Sequence, residues 1–531
     1  MSVSVILQRC LAEWTAEAPY ASWVGSGLYH AHSARRVKCD QSRPICANCV
    51  ATKRKCEGFR DPPKVPAKNI EALLTTTSYH IPFRIPGSQR DRQLLHYFCV
   101  SGVVAISGTC STDFWSSVVL QVSQDDYNVR QALLALSSLH LRLASANDPH
   151  VVVDEETLSR YGKAMRSLQR RINQSKDGDP KAAGCALICS VLFYCFECIL
   201  GNTHLAIKHL DSGLHLLGSR LGSPQEGDAY GLSEFVPSVA ATMGRLDMQA
   251  SFFNDNRIPR LSLISAEERA GSVQHDPDYA FSSITEAHSE LIKLENWIFH
   301  LLRENPETPG DMNAPIPSPE AVQEKSRLLV ALDAWEQRLN GLVADETVAR
   351  PPATDKSVDL SAASQPLLLQ KRTLRMILLS RLPLDGTVFG AVPNPAAMDI
   401  LRQAEELMQL FEASRTERDE RHNTFSSEMG FIAPAFFLAI KCGDEAVREG
   451  AVALLKTSHK SQEGPFDAKI MLKVVEGIEE VAENRKLALK ENGVEAPKNV
   501  SLEWWTIEAL SAGTEFGSID VLQDFIGSLP G

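Results

Sequence analysis

Missing from these 531 residues is any uninterrupted apolar run of about 18 or more, the length a bilayer-crossing helix needs. The best candidate, CALICSVLFYCFECIL from Cys185 to Leu200, carries Glu197 and is short for that task; it reads as a buried helix, and no membrane partner is expected. The opening MSVSVILQRC has neither the basic leader nor the apolar core of a secretory signal, so the expectation is a reducing compartment. Catalytic signatures are also missing: there is no Gly-rich phosphate loop, no G-x-S-x-G elbow and no H-E-x-x-H. Scattered Ser, His and Asp residues do not make an active site without geometry, and an enzyme is not expected. Neither a short-period internal repeat nor a sustained heptad pattern appears.

At 44% hydrophobic and 23% charged, the chain is long enough for more than one compact region with a large buried core. Its charge is unevenly placed. From Arg35 to Arg60 eight cations stand against Asp40 and Glu57, a net +6, which leaves −18 for the rest of a chain whose formal charge is −12. So acidic a remainder repels phosphate, and any nucleic-acid contact is expected from the basic segment alone. A plain basic run reads as a solvated face or an import signal, but here four cysteines are interleaved with it.

Those cysteines are Cys39, Cys46, Cys49 and Cys56, with gaps of six, two and six residues. In a reducing compartment, thiols at such spacing point to zinc rather than to disulfides, because a Cys-x-x-Cys pair brings two thiolates to one tetrahedral ion from a single turn. About 30 residues cannot bury enough apolar surface to offset roughly 1.5 kcal/mol of ordering entropy per residue, whereas a structural zinc contributes about 10 to 16 kcal/mol. The neighbours are Lys, Arg, Asp and Ser, which does not suit four incidental core thiols.

The segment RRVKCDQSRPICANCVATKRKCEGF resembles the last two thirds of the fungal six-cysteine, two-zinc binuclear cluster, through Lys38 to Asp40, Pro44 and the closing Cys56 to Gly58. That family places two further cysteines ten and seven residues before Cys39, and this chain has Tyr29 and His32 there. Matched ligand by ligand, the two-zinc cluster lacks two donors. One zinc held by Cys39, Cys46, Cys49 and Cys56 remains chemically sound, with His32 or His30 a candidate nitrogen donor and an ordinary solvated histidine the other reading of His32. The match begins abruptly near Ser33, which motivates the hypothesis of a misplaced start or exon junction, with a Cys-x-x-Cys immediately upstream in the transcript.

The resemblance further implies double-stranded DNA as partner, the nucleus as location and regulation of RNA polymerase II transcription at CGG-like triplets. Arg36 takes the main base-reading position, with Arg35 and Lys38 beside it; an arginine fork suits the O6 and N7 acceptors of guanine. Lys53, Arg54 and Lys55 would face the phosphate backbone and set register. Ser33 replaces a phosphate-binding arginine of the family, which removes part of that affinity.

Along the chain, residues 1–28 are left unassigned, 29–60 form the partial zinc module, and 61–84, including most of the Pro- and Lys-rich RDPPKVPAKN, form a linker. From residue 85 to 531 the pattern is mainly α. Val129, Ala132, Leu133, Leu136 and Leu139 share one helical face, similar stripes run over 288–302, 321–342, 366–382, 396–411 and 467–489, and no comparable stretch alternates as a strand would. Gly443 to Ser458, together with the helix that follows it, has the pattern of a stacked helical pair. The stretches 111–141, 192–217 and 436–458 resemble the all-helical regulatory region of fungal zinc-cluster transcription factors, which implies co-regulators or a small-molecule effector as partners; monomer and homodimer both stay open. Cys185, Cys189, Cys195 and Cys198 lie on an apolar helix and read as small core hydrophobes, and Trp115, Trp504 and Trp505 as core or groove anchors. Besides the DNA-binding regulator, the missing cysteine pair allows a helical interaction protein that has lost DNA binding.

Overall fold

The computed structural model describes residues 87–108, 113–145, 153–175, 179–221, 235–253, 257–265, 281–307, 317–349, 360–414, 424–458, 461–495 and 500–502. Ser88 opens the first helix through a capping box in which its side chain accepts from the Asp91 N–H and Asp91 accepts from the Ser88 N–H. That helix is α1 (Gln89–Tyr97); α2 (Val103–Ser107), α3 (Val119–Asp125), α4 (Tyr127–Ser145), α5 (Glu155–Gln174), α6 (Pro180–Ile199), α7 (Thr203–Leu221) and α8 (Val236–Phe253) follow. Two π-helical turns, Phe98–Gly102 and Phe114–Val118, lead into α2 and α3. Next come α9 (Ile284–Glu304), α10 (Pro319–Ala349), α11 (Leu360–Leu379), α12 (Thr387–Gly390) and α13 (Pro395–Ser414). The chain then runs through β1 (Thr424–Ser426), α14 (Ile432–Lys441), α15 (Glu445–Thr457), β2 (Ser461–Glu463), β3 (Phe466–Asp467) and α16 (Ala468–Glu491).

Three apolar clusters hold the body together. The first joins α1 to α8 around Trp115, Phe193 and Phe196, the second joins α9, α10 and α11 around Trp297 and Trp335, and the third joins α11 and α13 to α16. Within the first, α4 packs on α5 and α6, and α6 on α7. The expected face of α4 is buried, but so are Leu134, Ala135, Ser137, Ser138 and His140 on its other sides. A helix enclosed all round has to satisfy its polar groups internally. Ser137 Oγ donates to the Leu133 carbonyl at 2.7 Å, Ser138 pairs with Thr157 at 2.8 Å, and His140 Nδ1 meets the Tyr97 hydroxyl at 2.8 Å.

Helix α6 is the one described helix long and apolar enough to cross a membrane, and it is buried inside the protein as a core helix. On α7, Gly213 allows the closest approach to it: a Cβ there would lie 2.2 Å from Ser190 Oγ and 2.5 Å from Met243 Cε. We expect Gly213→Ala to destabilise by about 1 to 3 kcal/mol through overpacking. Gly218→Ala, on the same helix with nothing within 4 Å, should be neutral or mildly stabilising. Urea unfolding midpoints of the two variants check the contrast.

The structure departs from the sequence reading in two places. Helix α11 begins at Leu360, six residues before the expected start, so Pro366 lies inside it and is buried. A three-stranded sheet is also present, ordered β1-β2-β3, with β1 parallel to β2 and β2 antiparallel to β3. At three, three and two residues its strands are too short to show alternation. The sheet ties distant parts of the chain together. Ser427 donates through both its N–H and its hydroxyl to the Ile106 carbonyl at 2.8 Å, and Gln462 donates to the Cys198 carbonyl at 2.6 Å. The stacked pair expected near 443–458 is present, with α15 packed on both α14 and α16.

Candidate functional site

The described body begins at Gly87, where the polypeptide arriving from the basic, cysteine-bearing segment joins α1. A surface cleft of about 470 Å³ opens there, lined by Gly87, Ser88, Asp91, Tyr127, Arg160 and Lys163. Arg160 crosses it from α5 to meet Asp91 at 2.6 Å and pairs with Glu156 at 2.9 Å. Tyr127, which lines the cleft, is half exposed.

A second polar centre lies deep in the body, where the three apolar clusters meet. Arg245 on α8 donates from Nε to both oxygens of Glu428 at 2.9 and 3.2 Å. Glu463, at the end of β2, accepts from the backbone N–H groups of Gly430, Phe431 and Ile432 and so caps α14. Burial pushes its carboxyl up to about 7 despite those three donors. Glu295 on α9 accepts from Gln370 through Oε2 at 2.6 Å, while Oε1 has no partner. Burial pushes this acid up to about 8, and burial together with the Arg245 charge drives His288 down to about 3. The cavity between Arg245, Glu428, Glu295 and His288 measures about 20 Å³, room for one water, so the centre is a structural junction.

Cys185, Cys189, Cys195 and Cys198 are all buried on α6. Burial raises the Cys195 and Cys198 thiols, which leaves them protonated and inert, in keeping with their reading as core hydrophobes. Trp115 is likewise fully buried. Among the described residues no three or more His, Cys, Asp or Glu side chains converge as metal ligands. Every residue singled out from the sequence for metal or DNA lies outside the described residues: Cys39, Cys46, Cys49, Cys56, His32, Arg35, Arg36, Lys38, Lys53, Arg54 and Lys55, as do Trp504, Trp505 and the linker.

Comparison with known proteins settles the family. The fungal specific transcription factor domain matches residues 93–476, spanning α1 to α16. The chain belongs to that family. Ahead of this domain, the fungal Zn(2)-Cys(6) binuclear cluster domain, a zinc-binding module, matches residues 33–66. The aspercryptin biosynthesis cluster-specific transcription regulator atnN of Emericella nidulans is 25% identical over 397 residues, 67% of this chain and 60% of that protein. The transcription regulator lscL of Purpureocillium lilacinum is 28% identical over 245 residues, 41% of this chain and 55% of the relative. An uncharacterized transcriptional regulatory protein of Schizosaccharomyces pombe is 29% identical over 121 residues, 20% of this chain and 22% of that protein. The matched stretches thus span 60% and 55% of the first two relatives' lengths. No solved structure matches.

The zinc-binding donor set can be judged from its chemistry. The matched segment holds four cysteines, Cys39, Cys46, Cys49 and Cys56, and Tyr29 and His32 precede its first residue, Ser33. Four thiolates complete one tetrahedral zinc; the six that two zinc ions share in the family's cluster are not all supplied by this segment.

Proposed function

We propose that this chain is a zinc-dependent, sequence-specific DNA-binding regulator of RNA polymerase II transcription that acts in the nucleus. The observation that carries the reading is the zinc-cluster match over 33–66 ahead of the transcription factor domain over 93–476. It favours DNA binding over the reading in which that activity has been lost. The proposed division is an unassigned 1–28, a module over 29–60, a linker over 61–84 and a regulatory body over 85–531.

Zinc supplies the cross-link that orders a segment too small to fold on a core of its own. Cys39, Cys46, Cys49 and Cys56 hold it as the four donors of one tetrahedral ion, and His32 is a solvated histidine beside them. Arg36 presents its fork to a guanine of a CGG-like triplet, flanked by Arg35 and Lys38, while Lys53, Arg54 and Lys55 contact phosphates. The helical body supplies the surfaces for co-regulators, a small effector or a second copy of the chain.

The test is binding of the purified, zinc-loaded full chain to CGG-bearing duplexes and to scrambled ones. Arg36→Ala should cost about 1 to 3 kcal/mol on the CGG duplex and little on the scrambled one, whereas Arg54→Ala, which removes a phosphate contact, should weaken both alike. Equal wild-type affinity for both duplexes would remove the sequence-specific reading.

A further inference from the structure

The acidic average of the body conceals one cationic face. Helix α5 carries its acids, Glu155 and Glu156, in its first turn, and from Thr157 to Gln174 it has Arg160, Lys163, Arg166, Arg170 and Arg171 with no acidic residue. At about 100° per residue, Lys163, Arg166 and Arg170 fall within about 60° of one another, opposite the buried stripe of Tyr161, Ala164, Leu168 and Ile172. All three are exposed, and none has a carboxylate partner among the described residues. Arg166 lies back along the helix, its guanidinium 3.1 Å from where a Cβ of Gly162 would stand. Arg170 donates only to the Arg166 carbonyl, at 3.3 Å.

Complementing the helix dipole accounts for a cation or two in the last turn of a helix. It does not account for an unpaired row that begins two turns earlier in a chain of net charge −12. The position of the row supplies the second observation. Lys163 lines the same cleft as Gly87 and Ser88, so the row starts where the polypeptide from the zinc-cluster segment enters the body. Twenty residues, 67–86, separate the matched segment from Gly87. Even fully extended they reach only about 70 Å, so DNA held by the module is presented to this face at high effective concentration.

We propose that the outward face of α5, formed by Lys163, Arg166 and Arg170, is a second DNA contact that grips phosphates flanking the site read by the zinc module. The inference rests on the DNA-binding reading above. From Lys163 to Arg170 the helix is about 10 Å long, which matches about three phosphates at 3.4 Å of rise along one strand. A row of exposed cations on a rigid helix reads no bases; it fixes the body relative to the duplex and adds salt-dependent affinity.

The test uses the full zinc-loaded chain, fluorescent CGG duplexes of about 12 and about 40 base pairs, and a salt titration. Two triple variants are compared, Lys163→Glu/Arg166→Glu/Arg170→Glu and the neutral Lys163→Gln/Arg166→Gln/Arg170→Gln, so that a folding defect in the first does not stand for an effect. On the long duplex both should bind about 10- to 100-fold more weakly, and the log–log salt slope should fall by about 3, at roughly 0.9 per lost phosphate contact. On the short duplex, which the module fills, affinity should not change. Unchanged affinity and slope on the long duplex overturn the proposal and leave a solvated face. A wild-type chain that binds neither duplex overturns the reading of residues 33–66 and this one with it. Loss of binding to a polyglutamate peptide, with duplex binding intact, assigns the face to an acidic protein and overturns the DNA contact.

Discussion

Cys49→Ser is expected to abolish specific DNA binding, with a loss of at least about 100-fold, and to release the zinc. The size follows from the energetics of a module that has no core of its own, since about 10 to 16 kcal/mol of metal binding is its folding free energy. With one ligand of four removed, the remaining three thiolates no longer close a tetrahedron, and Arg36 loses the frame that aims it. A chelator should reproduce the effect in the wild type. The body, whose three clusters lie elsewhere in the chain, should keep its unfolding midpoint in both cases. Zinc content should read one ion per chain in the wild type. Retention of zinc and of CGG preference in the Cys49→Ser protein would show that the ligand set has been misassigned.

Stability of the body is expected to fall as pH rises from about 6.5 to about 8, and Glu295→Gln should remove most of the fall. In the folded protein burial holds the Glu295 proton up to about 8 and the Glu463 proton up to about 7, while an unfolded glutamate releases it near 4.5. Over that window the native state therefore binds more protons than the unfolded chain, and stability declines with pH. Each factor of ten in proton affinity is worth about 1.4 kcal/mol, so Glu295 alone accounts for about 2 kcal/mol between pH 6.5 and 8. Buried histidines act in the opposite sense. Burial holds His140 down to about 4 and His209 and His288 to about 3, against an ordinary 6.5. Their contribution is complete above pH 6.5 and is lost on acidification, so below that pH they oppose the glutamates and the acid limb is shallow. Urea midpoints at pH 5, 6.5 and 8.5, for wild type and Glu295→Gln, measure both limbs. An alkaline fall of the same size in the variant would place its origin elsewhere.

Both predictions draw on residues of unequal legibility. The proposed zinc donors are readable because their information is one-dimensional: four thiols at gaps of six, two and six residues among cations point to a metal whatever the rest of the chain does. Helices such as α4, α9, α13 and α16 were legible for the same kind of reason, since a 3.6-residue period over four or more turns is a local signal. Glu295 and Glu463 were not. Nothing around either marks it as buried; that follows from α9 meeting α8 and α11, and from β2 passing beside the start of α14. The cationic face of α5 drew no reading from the sequence, and its place beside the chain entry is set by packing.

Ligand spacing, charge and helical periodicity are properties of neighbours along the chain. They were enough to declare a zinc-organised basic segment, a mainly helical body and the position of most of its helices. Packing between distant segments did the rest. It enclosed α4 on all sides, carried α11 through Pro366, joined β1 to β2 across more than thirty residues, and put Arg160 and Lys163 of α5 in the chain-entry cleft. Strands of two or three residues and a proline within a helix are too weak to declare themselves locally. They exist because packing and long-range hydrogen bonds outweigh local propensity, and such contacts join residues that no local pattern connects.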